Sequence, residues 1–247
     1  MKISFFLLII FQFLFSPATD FKTDQMKYPR VRDAYRTHYE SIKADLKEKG
    51  FTISNIQIFL RAFKKEGILE VWAKSNKDRK FQLIQDYQIC ETSGKLGPKR
   101  KFGDYQVPEG FYHIDRFNPS SAFHLSLGIN YPNASDKVLG NKQNPGGDIF
   151  IHGNCVTIGC LPITDDKIKK LYILAIEAKN NGQQKIPVHI FPTHLNESGI
   201  EWLDDHDSFF NSKMEFWDNL KPAYIHFKEN KTLPNIRIKS NGEYFLN

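Results

Sequence analysis

The sequence predicts an α+β domain, mainly β with flanking helices, and three patterns carry that reading. Apolar residues alternate with period two between Ile56 and Ile89. Apolar residues recur at spacings of three and four before Gly50, before Gly182 and around Trp217. Clusters of Gly, Pro, Asn and Ser separate the two kinds of segment, and no internal repeat or low-complexity run interrupts them.

The chain opens with one basic residue, Lys2, an apolar run from Phe5 to Phe15, and the small residues Ser16-Pro17-Ala18. That order predicts a secretory signal peptide over residues 1–18 and an exported, periplasmic or envelope protein. The apolar run is shorter than the roughly 20 residues a spanning helix needs, so no stable membrane insertion is expected once it is removed. Residues 19–50 then predict an amphipathic helix through Val31, Tyr35, His38, Ile42 and Leu46, stopped by Gly50 and packed outside a β core.

Ile56, Ile58 and Leu60 alternate with Gln57, Phe59 and Arg61, and the turn Lys64-Lys65-Glu66-Gly67 returns the chain through Leu69–Ala73 as a hairpin. A third strand runs through Phe81, Leu83, Gln85, Tyr87 and Ile89 to the turn-rich segment Ser93–Pro98. Residues 103–124 predict a further short strand and loop. Residues 130–147, rich in Asn, Pro and Gly, predict a long polar loop that ends at a short buried strand, Asp148–His152. Thr164 with Asp165 and Asp166 predicts a helix start, and Ile168, Leu171, Tyr172, Ala175 and Ala178 form its stripe up to Gly182. In Ile186–Phe191, Pro187 suggests an edge or first-position strand. Phe210, Met214, Trp217 and Leu220 predict a last helix, and Asn241-Gly242 the turn of a hairpin joining Ile236–Ile238 to Tyr244–Leu246. The resulting organisation is a helix over 19–50, a catalytic-size domain over 51–192 and a helix-hairpin extension over 193–247.

The formal charge of +6 is spread among acidic residues, and no nucleic-acid-binding motif accompanies Lys99-Arg100-Lys101. Those cations read as solvated loop charges or as partners for a ligand carboxylate. Three cysteines, Cys90, Cys155 and Cys160, are too few for a disulfide scaffold. If Cys160 stays free, Cys90 and Cys155 are the remaining intrachain pair, and a bond between them requires Cα atoms within about 7 Å.

Chemistry concentrates in Ile151-His152-Gly153-Asn154-Cys155-Val156-Thr157-Ile158-Gly159-Cys160. An unassisted thiol is mostly protonated at neutral pH, and a neighbouring imidazole can take its proton. Gly153 and Gly159 allow the backbone to turn N–H groups toward an oxyanion. By spacing alone, three readings stand: His152 as base and Cys160 as nucleophile; a buried core histidine with inert cysteines; or zinc on His152, Cys155 and Cys160, which lacks a dependable fourth ligand. His113 and His124 can flank such a cleft, but a surface or core role is the stronger reading and both stay outside the expected site.

The run His152-Gly153, then Thr157-Ile158-Gly159-Cys160, resembles the His-Gly…Ser/Thr-x-Gly-Cys signature of the L,D-transpeptidase (YkuD) catalytic domain. Gly103-Asp104-Tyr105-Gln106-Val107-Pro108-Glu109-Gly110 resembles that family's Gly-Asp-x-x-Thr-Pro-Glu-Gly segment, and Ser93–Lys99 precedes it in the expected place. Ile158 replaces the histidine usual before Gly-Cys, and only seven residues separate His152 from Cys160. Both departures resemble the YafK-like (DpaA-like) branch, as do Tyr87–Cys90 and Phe216–Pro222. The likeness covers roughly residues 55–246.

The resemblance implies a β-sandwich or open-barrel catalytic domain in which Cys160 attacks a carbonyl of a peptidoglycan stem peptide to give a thioester. His152 would carry the proton, oriented by the carbonyl of Gly153, with Gly153 and Gly159 shaping the orienting and oxyanion groups and no metal or other cofactor. It further implies meso-diaminopimelate-containing stem peptides as partners, with a wall-attached protein as another, and either amidase action or cross-link formation as outcome. A non-catalytic wall-binding module is the alternative from another class.

Overall fold

The computed structural model describes residues 20–205 and 211–247. The expected signal peptide and Phe210 lie outside them. Helix α1 (Phe21–Gln25) leads into α2 (Pro29–Glu48), followed by strands β1 (Ile56–Phe63), β2 (Ile68–Ser75), β3 (Gln82–Gln88), β4 (Gly110–Asn118) and β5 (Ser126–Ile129). Then come α3 (Ala134–Leu139), β6 (Phe150–His152), β7 (Leu161–Pro162), α4 (Asp165–Asn180), β8 (Ile186–Phe191), α5 (Glu197–Asp205), α6 (Asn211–Asn230) and the hairpin β9 (Ile236–Ile238) and β10 (Tyr244–Leu246).

Eight strands form one mixed sheet in the order β3-β2-β1-β8-β4-β5-β6-β7, with β1–β8 and β6–β7 parallel and the other pairs antiparallel. The sheet is open and curled. The N–H of Cys90, just beyond β3, donates to the carbonyl of Pro162 on β7 (2.9 Å), so its two edge strands meet at one end. The expected α+β class therefore takes its open-barrel form. Among the described residues no helix is long and apolar enough to cross a membrane.

Both faces of the sheet are covered. Ile56, Ile58, Leu60 and Ala62 join the core built on α4, whereas Phe59 packs with Trp72, Phe81 and Phe227 of α6. Arg61 is 7% exposed, its Nε donating to Glu70 (2.7 Å) and its guanidinium lying over the rings of Phe63, Trp72 and Phe227. Helix α4 is likewise buried on more than one stripe: Ile173, Leu174 and Ile176 add to the expected set. The reason is α2, which packs against α4 and buries Val31, Ala34, Tyr35, Ile42 and Leu46 in the same core. At about 1.5–3 kcal/mol per buried large apolar side chain, that contact makes α2 part of the core's stability. The Tyr35 hydroxyl donates to buried Glu177 (2.8 Å), which also pairs with Lys22.

Several local readings change. The 130–147 loop contains α3, started by a capping box in which Asn133 and Asp136 exchange hydrogen bonds. Leu83 is 37% exposed and Ile84 points inward, because the β2–β3 register shifts between Val71 and Trp72. Strand β8 is central, and Pro187 is tolerated because its pairing with β1 begins only at Val188. Thr164 precedes α4 with φ of +70° and makes no side-chain capping bond. The terminal hairpin forms, but only Gly242 in its turn has positive φ, and its N–H bonds to the Lys239 carbonyl. That is a longer turn closed by a glycine, not a two-residue Asn-Gly turn. Strands β5 and β7 and helix α5 had no clear signal in the sequence.

Candidate active site

The parallel pair β6–β7 sets the site. Ile151 faces Leu161 and His152 faces Pro162 in register, so Cys160 enters at the start of one strand and His152 ends its neighbour. His152 is 1% exposed and stacks on Phe123, with ring centroids 4.6 Å apart. Its Nδ1 lies 2.5 Å from the carbonyl oxygen of Gly153. A carbonyl only accepts, so Nδ1 carries the proton and Nε2 is the basic nitrogen. Burial holds this imidazole below its ordinary pKa, and the Gly153 carbonyl partly opposes that.

Cys160 is the one free cysteine among the described residues. Burial pushes its thiol above the ordinary range, and Asp148 adds to the rise; the Phe150 N–H and Lys99 pull the other way. Its Sγ donates to the Asp148 carbonyl (3.7 Å), and no hydrogen bond joins it to His152. Both shifts favour the neutral thiol and the neutral imidazole.

Cys155 is bonded to Cys90, with Cα atoms 5.5 Å apart. The bridge fastens the segment between His152 and Cys160 to the end of β3. It also removes Cys155 from the zinc ligand set that spacing left open.

The two glycines act through their backbones, each differently. A Cβ on Gly153 would collide with the Asp165 carboxylate and lie 2.9 Å from the Phe123 carbonyl, so close packing requires glycine there. Gly159 has φ of +138°, a region open to glycine. The N–H groups of Gly159 and Cys160 both donate to Thr157 Oγ1 (3.1 and 2.8 Å), whose hydroxyl donates to the Cys160 carbonyl (2.9 Å). The N–H groups of Gly159 and Cys160 are thus occupied by Thr157, a residue of the Thr-x-Gly-Cys motif that sequence reasoning did not single out.

Cys160 borders two cavities. One, about 230 Å³, is lined by Lys64, Glu91, Ser93, Lys95 and Val107; the other, about 560 Å³, by Lys99, Phe102, Tyr105, Asp148 and Ile158. Lys99 and Arg100 prove to be neither solvated nor free: Lys99 pairs with Asp104 (2.5 Å) and Arg100 with Asp136 (3.4 Å). The carboxylate of Asp104 also accepts the N–H groups of Arg100, Lys101 and Gln106, fixing the loop that carries Phe102 and Tyr105. Glu109, fully buried, accepts from Gly97 N–H (2.7 Å) and Trp217 Nε1 (2.6 Å) and pairs with Lys64 (2.9 Å). His124 follows Phe123 beside the site, whereas His113 sits on β4 across from Pro187.

Backbone strain gathers here as well. Six described non-glycine residues have positive φ; four of them, Tyr105, Asp148, Asn154 and Thr164, lie near His152 and Cys160 in sequence or line the larger cavity, and a fifth, His124, follows the Phe123 that stacks on His152. Such conformations cost about 1–3 kcal/mol each and persist where surrounding structure fixes them.

No protein-family model matches the chain. Its sequence is 32% identical over 191 residues to the candidate L,D-transpeptidase YafK of Escherichia coli (strain K12), covering 76% of this chain and 73% of that protein. Among solved structures, the helical cell shape determining protein Pgp2 from Campylobacter jejuni aligns over 80% of each chain with a TM-score of 0.45 and 19% identity. Mycobacterium tuberculosis L,D-transpeptidase 1 aligns over 55% of this chain and 62% of its own, with a TM-score of 0.33 and 12% identity. On the strength of the YafK match, which covers about three quarters of each chain, the chain belongs to the L,D-transpeptidase family, on its YafK-like branch.

Proposed function

We propose that this protein is an exported cysteine enzyme of the cell envelope that acts on peptidoglycan stem peptides at a diaminopimelate-linked amide. The observation that carries the reading is the position of Cys160: a free thiol between two cavities, beside a buried imidazole whose Nε2 is left basic by the Gly153 carbonyl. A peptide-bond reaction through an acyl-enzyme needs room on both sides of the nucleophile, one for the acyl group and one for the amine that leaves or enters.

Both pKa shifts favour the neutral forms, which suits a proton that moves during attack. As Sγ bonds to the substrate carbonyl carbon, His152 Nε2 takes the thiol proton; the leaving amine then receives that proton as the C–N bond breaks, giving a thioester. Water, or a second amine, attacks the thioester while His152 again accepts and returns a proton, and the Cys160 thiol is regenerated. Stabilising the oxyanion with the Gly159 and Cys160 N–H groups requires them to leave Thr157 Oγ1, a rearrangement of one hydroxyl. Amidase or endopeptidase action is favoured over cross-linking by the resemblance to the YafK-like branch. Cross-link formation from the same thioester is the second reading, and the 560 Å³ cavity is what favours it, since it could hold an acceptor.

The test supplies a labelled diaminopimelate-containing stem peptide with and without excess acceptor and identifies products by mass. Free acid as main product is expected, absent with Cys160→Ala at an unchanged unfolding temperature. Dimer as main product would replace the amidase reading by transfer. Full turnover by Cys160→Ala would remove the nucleophile assignment, and no product from the unsubstituted protein would favour a wall-binding module.

A further inference from the structure

Gly153 and Asn154 share one peptide group, and both of its polar ends are engaged. Its carbonyl faces His152 Nδ1 (2.5 Å), and its N–H donates to Asp165 Oδ1 (2.8 Å). In a planar trans peptide the carbonyl and N–H point in opposite directions, so anchoring one fixes the aim of the other. Three further observations show how tightly this peptide is held. The Gly153 N–H donates to the Leu125 carbonyl (3.2 Å), Asn154 has φ of +61°, and the Asp165 carboxylate occupies the space a Gly153 Cβ would need.

We propose that Asp165 is a positioning residue for His152, acting through the 153–154 peptide as a carboxylate–peptide–imidazole relay. This rests on the reading of His152 as the base for Cys160. No proton crosses the peptide. The carboxylate polarises it, which makes the Gly153 carbonyl a stronger acceptor for Nδ1–H and stabilises the imidazolium that forms when Nε2 takes the thiol proton. A triad of the Cys-His-Asp kind places the acid directly on the imidazole; here one backbone amide stands between them.

The surroundings suit a carboxylate in this role. Asp165 is the first residue of α4, where the helix dipole favours negative charge. Its other oxygen, Oδ2, lies 4.0 Å from Nδ1 of His124 on the loop between β4 and β5, and the Nε2 of His124 is buried without a hydrogen-bond partner. Lys169, one turn along α4, is held by Asp33 (2.7 Å). Burial keeps His124 below its ordinary pKa, as it does His152.

The experiment uses the full chain with ¹⁵N-labelled histidine and reads the tautomer and pKa of His152 by NMR in the unsubstituted protein, Asp165→Asn and Asp165→Ala. In parallel it measures the rate of Cys160 alkylation by iodoacetamide against pH. Asn keeps an oxygen for the Asn154 N–H and removes the charge; Ala removes both. The unsubstituted protein is expected to hold a single Nδ1–H tautomer. Asp165→Asn should keep that tautomer with a lowered imidazole pKa, and Asp165→Ala should mix tautomers, with alkylation slowed roughly 10- to 100-fold as when an outer partner of a histidine is lost. Identical tautomer and pKa in all three proteins, with only the unfolding temperature changed, would overturn the relay and leave Asp165 a helix-start residue. A tautomer shift in the Asp165 variants together with full turnover by Cys160→Ala would support the relay and remove Cys160 as the nucleophile, so the two readings fail separately.

Discussion

Replacing Glu109 with glutamine should cost this protein a large part of its stability, although the change keeps the side chain's shape. Glu109 is fully buried and its carboxylate has three partners: the Gly97 N–H and Lys64 at Oε1, and the Trp217 indole at Oε2. Lys64 is buried too, and its remaining protons go to the carbonyls of Gly97 (2.8 Å) and Val107 (2.9 Å). Glutamine offers one oxygen and one NH₂. With the oxygen kept toward Lys64 and Gly97, the NH₂ confronts the Trp217 N–H, two donors facing each other, and Lys64 is left buried without a counter-charge. Removing one partner of a buried ion pair costs about 3–5 kcal/mol, of which a lost hydrogen bond to a charged group supplies about 1.5–3. For a chain of this size that is a fall of roughly 6–20 °C in unfolding temperature.

Urea denaturation measures the loss, and a pH series tests its cause. Burial already lowers the Lys64 pKa against the opposing pull of Glu109. Without the carboxylate it falls further, so between the folded and unfolded values the unfolded chain binds more protons and stability rises with pH. The deficit of Glu109→Gln should therefore shrink on going from neutral to alkaline pH, and adding Lys64→Met should recover part of it. A loss under about 1 kcal/mol, or a deficit that grows with pH, would refute the account of Glu109 as the counter-charge of Lys64.

Opening the Cys90–Cys155 bridge by changing both residues to serine should cost up to about 4 kcal/mol, the chain-entropy value for a separation of 65 residues, read by denaturation against the oxidised protein. Turnover should fall with it, since the bridge holds the segment that carries Thr157. The pH dependence should also be distinctive: because burial lowers the His152 pKa and raises that of Cys160, the acid limb of kcat/KM should fall below the ordinary imidazole value of about 6.5, and alkylation of Cys160 should climb through alkaline pH without a plateau at neutrality. A thiolate plateau between pH 5 and 8 would instead indicate a preformed ion pair. The same His152 shift makes the fold lose stability as pH drops through its imidazole range, because the unfolded chain takes the proton first.

Much of the chain was legible where a signal is local. Helix α2 announced itself through Val31, Tyr35, Ile42 and Leu46, the β1–β2 hairpin through alternation and the Lys64–Gly67 turn, and α4 through its acidic start and apolar stripe. The positions His152, Gly153, Gly159 and Cys160 came from a motif ten residues long, because residues that must stand on one strand end and the turn after it are close in sequence. What the sequence determined is therefore the identity of the longer elements and the short segment on which the candidate residues lie. The tertiary structure alone decided which faces are wet, which ends meet and which groups are free. Arg61 is buried beneath α6, Cys155 became unavailable to a metal once β3 curled round to meet β7, and Thr157 proved to hold the N–H groups of Gly159 and Cys160. Asp165 read as an ordinary helix-start acid, and only the approach of α4 to the 153–154 peptide gave it a second partner. Each of these depends on contacts between segments far apart in the chain, and periodicity and turn chemistry carry no information about such contacts.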